Sequence, residues 1–392
     1  MKTNVCVIFG GRSTEHEVSI ISANQAMHAC DKEKYNVIPL YISKKGVMYS
    51  GDALLDITNY KNLSSLLEKC EKVVLYNDGN GVVMDRIKKP LFGGKKPVTI
   101  DIAVPVVHGT NVEDGSIQGW LETLDLPYAG CDVTSSALGM DKVAMKDVLA
   151  ARGIPVLPCK CFYNRQWFET KKSIVSEIET LGYPVIVKPA NLGSSIGISV
   201  AKDKAELISS IDNAVAFAEK ILVEHAITAI REINCSILGD FNTAKASVCE
   251  EPVSADGFLS YDKKYKEGAK GGSKGMASTK RIIPADLPDN ITKRIQQYSV
   301  ETFKALGCCG VARIDCMIDK DTDEIYVNEI NTIPGSLAFY LWEKTNLSFQ
   351  SLMDELISIA LKRRREKSNL TFSFDTNLLE LHGGVKGTKT NN

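Results

Sequence analysis

Val311-Ala312-Arg313-Ile314-Asp315-Cys316-Met317-Ile318 and Ile325-Tyr326-Val327-Asn328-Glu329-Ile330-Asn331 flank a polar stretch at 319–324. Two apolar runs around a turn-forming segment predict a β-hairpin. Side chains alternate along a strand, so Arg313 and Asp315 share one face of the first strand, and Glu329 and Asn331 share one face of the second. If the hairpin is centred on Thr322, Arg313 lies opposite Asn331 and Asp315 opposite Glu329. Like charges directly opposed are destabilising, so this pair of acids needs a cation. An all-oxygen donor set without His or Cys suits Mg²⁺ held together with substrate phosphates. A salt bridge in which Arg313 neutralises the acids accounts for the same residues.

Upstream lies Lys188-Pro189-Ala190-Asn191-Leu192-Gly193-Ser194-Ser195-Ile196-Gly197, between apolar strands at 183–188 and 198–201. Glycines let backbone N–H groups approach phosphates, and serines add donors. The loop joins two strands, whereas dinucleotide and P-loop motifs place their glycines before a helix. A plain hairpin turn is the alternative reading. Lys188 ends an apolar strand, where an ammonium group is costly unless it meets an anion. Lys142 in Gly139-Met140-Asp141-Lys142 is similar, with Asp141 as a rival partner.

Apolar runs bounded by turn residues alternate with helical patterns through most of the chain, the signature of α/β layers. Strands at 5–9, 36–42, 72–76 and 101–107, with helices at 17–30 and 114–124, make a first unit, residues 1–130. Helices at 135–152, 172–181 and 204–219 and strands at 156–162, 183–188 and 198–201 make a second, 131–226. The third, 227–367, holds strands at 232–238 and 244–249, a helix at 289–306, the hairpin and a last helix at 349–367; a tail, 368–392, follows. Residues 254–280 form a glycine-bearing polar segment of the length expected of an active-site lid.

The 392 residues are 44% hydrophobic and 24% charged, with mean hydropathy -0.08, which excludes wholesale disorder. A net charge of -1 supplies no general attraction to nucleic acid or an anionic membrane. The basic run Lys362-Arg363-Arg364-Arg365 sits at the end of a helical pattern, where cations favour the dipole, and reads as a solvated helix end. The eleven cysteines show no zinc-site spacing and read as reduced thiols. No signal peptide or membrane span is visible, so a cytoplasmic protein is expected.

Together these segments resemble the D-alanine–D-alanine ligases of the ATP-grasp superfamily, over residues 4–366. The matching stretches are Phe9-Gly10-Gly11-Arg12-Ser13-Thr14-Glu15-His16-Glu17-Val18-Ser19, His108-Gly109 with Glu113-Asp114-Gly115-Ser116-Ile117-Gln118-Gly119, Met140-Asp141-Lys142, the loop at 188–197, Arg313-Ile314-Asp315, and Asn328-Glu329-Ile330-Asn331-Thr332-Ile333-Pro334-Gly335. The resemblance implies an α/β, three-domain ATP-grasp architecture with a Rossmann-like N-terminal domain. It implies an enzyme that joins two D-alanines for peptidoglycan through an acyl phosphate made with ATP. Mg²⁺, as two ions with Mn²⁺ an alternative, falls to Asp315, Glu329 and Asn331. Lys142, Lys188, Ser195, Glu224 and Glu232 fall on the ATP side. Glu15, Ser194, Tyr265, Arg313 and the Gly335 N–H take the catalytic roles, and His108, Lys264, Ser336 and Leu337 the substrate contacts. A homodimer is implied as well.

Two departures matter. Glu232 stands eight residues after Glu224, one more than the family pattern, and a solvated strand-start Glu is its alternative reading. Ser336-Leu337 follow Gly335 at once, where the family has several intervening residues, so the second-substrate pocket must be walled differently; Phe339, Tyr340 and Trp342 either rebuild it or belong to the core. In members of the resembled family that make an ester with D-lactate a His occupies this region; residues 254–280 contain none, so the resemblance implies an amine acceptor. D-serine or another small amino acid is the rival acceptor. A nucleotide-binding regulator without catalysis and a dinucleotide-dependent oxidoreductase are the rival classes.

Overall fold

A computed structural model describes residues 2–88, 96–193, 197–253 and 280–372. The first unit comprises β1 (Thr3–Gly10), α1 (His16–Ala29), β2 (Tyr35–Ile42), β3 (Met48–Ser50), α2 (Leu63–Glu68), β4 (Glu71–Asn77), β5 (Val82–Arg86), β6 (Val98–Ile100), β7 (Ile102–Val106) and α3 (Ser116–Thr123). They build a seven-stranded sheet in the order β6-β5-β4-β3-β2-β1-β7. β1 runs parallel to β2 and β7, and residues 5–9 are fully buried, as a strand covered on both faces must be. β3 to β6 form an antiparallel extension that the weaker apolar pattern there only partly revealed. The chain leaves β1 through Gly10, at φ +87 and with no room for a Cβ, which would lie 2.3 Å from the Ile42 carbonyl oxygen.

The second unit comprises α4 (Val133–Met140), α5 (Lys142–Ala151), β8 (Cys159–Tyr163), α6 (Asn164–Glu179), β9 (Val185–Pro189), β10 (Ser199–Ala201), α7 (Lys204–Ala214) and β11 (Lys220–His225), with sheet order β10-β9-β11-β8. The single helix expected at 135–152 is two. Asp141 is extended, with ψ 99, and its side chain accepts from the Val143 and Ala144 N–H groups, so a cap replaces the helical turn. Asp141 also pairs with Lys220 at 2.6 Å and is not the partner of Lys142. β9 and β10 are antiparallel neighbours, so the glycine loop joins two strands as expected.

The third unit comprises β12 (Ile230–Gly239), β13 (Ala244–Val253), β14 (Lys280–Ile282), α8 (Asp289–Ala305), β15 (Gly310–Asp319), β16 (Ile325–Asn331), α9 (Phe339–Glu343) and α10 (Phe349–Lys367). Its sheet order is β14-β13-β12-β15-β16. α8 packs Ile295 and Phe303 against Cys235, Ile237 and Ile314 on one face, leaving the other face for the polar residues. α10 does not stay with its own unit. Leu352, Met353, Leu356, Ile357 and Ala360 join the core of the first sheet.

The basic run lies in the last turns of α10, and three of its four side chains are paired as well as partly solvated. Lys362 pairs with Asp240 at 2.7 Å, and Arg364 with Asp125. Arg363 donates to the Gly130 and Tyr128 carbonyls at 2.8 and 2.6 Å. Arg363 and Arg364 fasten the last helix to the end of the first unit, and Lys362 ties it to the β12–β13 turn of the third. The eleven cysteines are free thiols. Among the described residues no helix is long and apolar enough to cross a membrane.

Candidate active site

The hairpin places its polar residues as alternation predicts. Arg313 lies opposite Asn331 and Asp315 opposite Glu329. The turn differs from the expected one: beyond Asp315 the register shifts, Cys316 faces Val327, and Asn328 is the extra residue of a bulge. That extra residue keeps Asn328 beside Glu329 on the polar side, where its Oδ1 accepts from Lys188 Nζ at 3.2 Å.

The sheet extends the acidic pair into a row. Asn234 on β12 lies opposite Asp315, and Glu250 on β13 lies opposite Asn234. Arg313 grips Asp315 through two hydrogen bonds of 2.7 Å, and Asn331 Nδ2 donates to the same carboxylate at 3.1 Å. Burial pushes the Asp315 carboxyl up and Arg313 draws it back without cancelling the rise, to which Glu329 adds. Both readings of the pair therefore meet here, with Arg313 as the partner of Asp315 while Lys142 Nζ stands 3.4 Å from Glu329. Glu232, in the same alternation on β12, is half-buried opposite Met317 and is not a solvated strand end.

Across from this row lies a lysine cluster. Glu224, 0% exposed, sits between Lys146 at 2.8 Å and Lys188. Burial pushes the Glu224 carboxyl up, but Lys146 and Lys188 outweigh it and hold it at about 2. The carboxylate that the resemblance places on the adenine side is thus enclosed here by the Lys146 and Lys188 ammonium groups. Lys146 was missed, although it follows Lys142 by one helical turn on the same face, a spacing that signals a shared environment. Lys142 Nζ donates to the Leu192 carbonyl at 2.9 Å, which ties it to the glycine loop.

Glu15 reaches the same loop from the first unit. A Cβ on Gly193 would stand 3.1 Å from Glu15 Oε2, and one on Gly109 2.9 Å from it, so both glycines make room for that carboxylate. Behind it, His108 Nδ1 donates to the Ile333 carbonyl at 2.9 Å; Nε2 then accepts from Ser22 at 2.9 Å, and the Ser336 N–H donates to Ser22 Oγ at 2.9 Å. Burial drives the His108 pKa down to about 4, and nearby Arg313 lowers it further against the Ile333 hydrogen bond, so the ring is neutral. Glu113 accepts from the Gly109 N–H at 3.0 Å and the Ile333 N–H at 2.8 Å. His108 is thus a buried link between the first unit and the strand end that carries Gly335.

Ser336, Leu337 and Ala338 all adopt left-handed backbone, at φ 54, 52 and 51. Leu337 is 3% exposed and its side chain belongs to the hydrophobic core. The aromatics divide. Trp342 is buried and donates to Ser236 Oγ at 2.9 Å, Phe339 stacks on Phe349 at 4.5 Å, and Tyr340 reaches Glu250 at 3.0 Å. Ser194, Ser195, Lys264 and Tyr265 lie outside the described residues.

Asp315, Glu329 and Asn331 supply hard oxygen donors on one face, and no three His, Cys, Asp or Glu side chains converge as a metal site among the described residues. Two carboxylates and an amide make an incomplete shell of the kind that Mg²⁺ completes with phosphate oxygens and water. The donor set fits that ion.

The family models described as D-ala D-ala ligase N-terminus and C-terminus match residues 4–131 and 148–358. The D-alanine--D-alanine ligase of Thermosipho melanesiensis is 39% identical over 383 residues, covering 97% of this chain and 99% of that protein. Among solved structures, the D-alanine-D-alanine ligase from Coxiella burnetii has a TM-score of 0.77 at 30% identity, covering 94% of this chain and 96% of that one. The VanG D-Ala:D-Ser ligase from Enterococcus faecalis has a TM-score of 0.76 at 30% identity, covering 92% and 100%. With the motifs assembled on one cleft and the two family models together matching most of its length, the chain belongs to the D-alanine–D-alanine ligase family.

Proposed function

We propose that this protein is the ATP-dependent ligase that joins two D-alanines into D-alanyl-D-alanine for peptidoglycan. The observation that carries the reading is the cleft itself, where the Asp315–Glu329 pair faces the Lys142, Lys146 and Lys188 ammonium groups with Glu15 at its edge. Lysines of this kind suit a triphosphate, and charge neutralisation is most of what phosphoryl transfer requires.

Glu15 holds the ammonium of the first D-alanine beside the glycine loop. Lys142 and Lys188 turn toward the phosphates while the donor carboxylate attacks the γ-phosphorus and ADP leaves. Bound at Asp315, Glu329 and Asn331, Mg²⁺ supplies further neutralisation of the phosphate charge. Arg313 and the Gly335 N–H stabilise the oxyanion formed when the second amine attacks the acyl carbon and phosphate departs. Neutral His108 holds the backbone around Ile333 and Ser336 in place for that step. Ser194, Ser195, Lys264 and Tyr265 take the loop and lid roles that the family resemblance gives them, and Glu232 the ribose contact.

Phosphate release from ATP and Mg²⁺ with single amino acids and pairs tests the reading. D-alanine alone should support turnover and Mn²⁺ should substitute for Mg²⁺; release with other pairs but none with D-alanine would overturn the assignment. D-serine as second substrate is the reading to set against it, since the D-Ala:D-Ser ligase matches as closely in fold as the Coxiella burnetii enzyme. Family membership also supports a cytoplasmic homodimer, which light scattering at working concentration tests.

A further inference from the structure

The acidic row contains a carboxylate that the scheme above leaves unused. Glu250 shares the face of Asp315 and lies two strands away from it, about 10 Å at the usual interstrand spacing. It is 2% exposed. Its Oε1 accepts from Asn234 Nδ2 and from the Tyr340 hydroxyl, each at 3.0 Å. Its Oε2 is buried and has no hydrogen-bond partner among the described residues. The Arg281 guanidinium stands 3.9 Å from that oxygen and stacks on the Tyr340 ring at 4.5 Å. A buried carboxylate oxygen without a donor is costly, and a cationic N–H group relieves that cost.

The place of this group is as informative as its chemistry. Glu329, which Lys142 approaches, lies on one side of Asp315 along the row and Glu250 on the other, so Glu250 is on the side away from the lysine cluster. α9 closes that side: Trp342 bonds Ser236, which lies opposite Arg313, and Tyr340 bonds Glu250. The chain reaches this position through three consecutive left-handed residues, Ser336 to Ala338, each costing about 1–2 kcal/mol relative to right-handed backbone. Strain of that size persists where surrounding contacts over-determine it, and such positions cluster at ligand-binding sites.

We propose that Glu250, oriented by Asn234 and Tyr340, binds the ammonium of the second, acceptor amino acid, and that Arg281 meets its carboxylate. The proposal rests on the ligase reading above. The acceptor arrives as a zwitterion, and an acid beside a guanidinium offers one partner for each of its ends. The ammonium supplies a donor to Oε2, which has none within hydrogen-bond distance among the described residues. A hydroxy acid supplies no cation there, so the same carboxylate discriminates against D-lactate.

The test is D-alanine saturation of phosphate release, with the donor-site and acceptor-site constants fitted separately and KM for ATP measured alongside. Glu250→Gln should raise the acceptor constant about tenfold or more, the scale of a charged hydrogen bond, and leave the other two constants within about twofold. Tyr340→Phe should shift the acceptor constant in the same direction by less, and it carries the test if Glu250→Gln does not fold. Glu250→Gln should also narrow the preference for D-alanine over D-lactate as acceptor. An unchanged acceptor constant in both variants, or an equal rise in all three constants, overturns the proposal. No D-alanine-dependent release by the unaltered protein would instead sink the ligase reading, and this inference with it.

Discussion

The two sides of the cleft bury charge in opposite proportions. On the third sheet, the three carboxylates of Glu250, Asp315 and Glu329 share a row with two guanidinium groups, Arg313 and Arg281, beside them. On the second unit, one carboxylate, Glu224, serves two ammonium groups, Lys146 and Lys188. Each side has an excess that its own partners do not cancel, and a buried excess is tolerable only if something of opposite sign completes it. The acidic side is short of cations and the basic side short of anions. A metal–nucleotide complex has both, and the contacts of Lys142 with Glu329 and Lys188 with Asn328 show the two sides already partnering each other.

The sharpest way to break this contrast is to lower the acidic excess. Glu329→Gln removes a ligand charge and a source of repulsion together, so kcat should fall about a thousandfold while thermal stability holds or rises. Phosphate release against Mg²⁺ concentration, with melting followed by circular dichroism, checks both halves. On the other side, Lys146→Met leaves Glu224 with one cation in a fully buried site. It should cost about 3 kcal/mol, the low end for breaking a buried pair because Lys188 remains. In that variant Glu224 should also titrate above its present value of about 2, so acid unfolding should begin at higher pH.

A third experiment addresses the joint between the first unit and the acidic strand. Burial raises the Glu113 carboxyl from 4.5 to about 7, against the hydrogen bonds from Gly109 and Ile333 that lower it. A raised folded-state value means that its contribution is complete below about pH 4.5 and lost as pH climbs through 7. Unfolding free energy should therefore decline across that window by no more than about 3 kcal/mol, and Glu113→Gln should flatten the decline. The smallest effect belongs to the periphery. Arg364→Ala breaks an exposed pair with Asp125 and should cost less than about 1 kcal/mol in urea unfolding, which sets the scale against which the cleft variants are read.

Much of this was legible beforehand, and the reason differs from residue to residue. The pairing of Asp315 with Glu329 follows from alternation and a short turn, both local properties, and the bulge at Asn328 absorbed the one-residue error in the turn. The double helix at 133–151 was missed because Asp141 satisfies both a helical pattern and a cap, and only its backbone angle distinguishes them. Lys146 was missed because a lysine on an amphipathic helix is ordinarily solvated, and its burial depends on Glu224, which is far off in the chain.

Periodicity, turn chemistry and ordered motifs were enough to define the α/β class, the strand-to-strand glycine loop, the acidic hairpin and the family, because each is encoded within a few residues of itself. The tertiary structure alone decided that Glu224 is enclosed by lysines, that α10 returns to the first sheet, that Leu337 is core, and that Glu250 stands in line with Asp315. Those outcomes depend on which distant strand lies alongside which and on how charge is shared once water is excluded. Neither quantity is carried by any short stretch of chain.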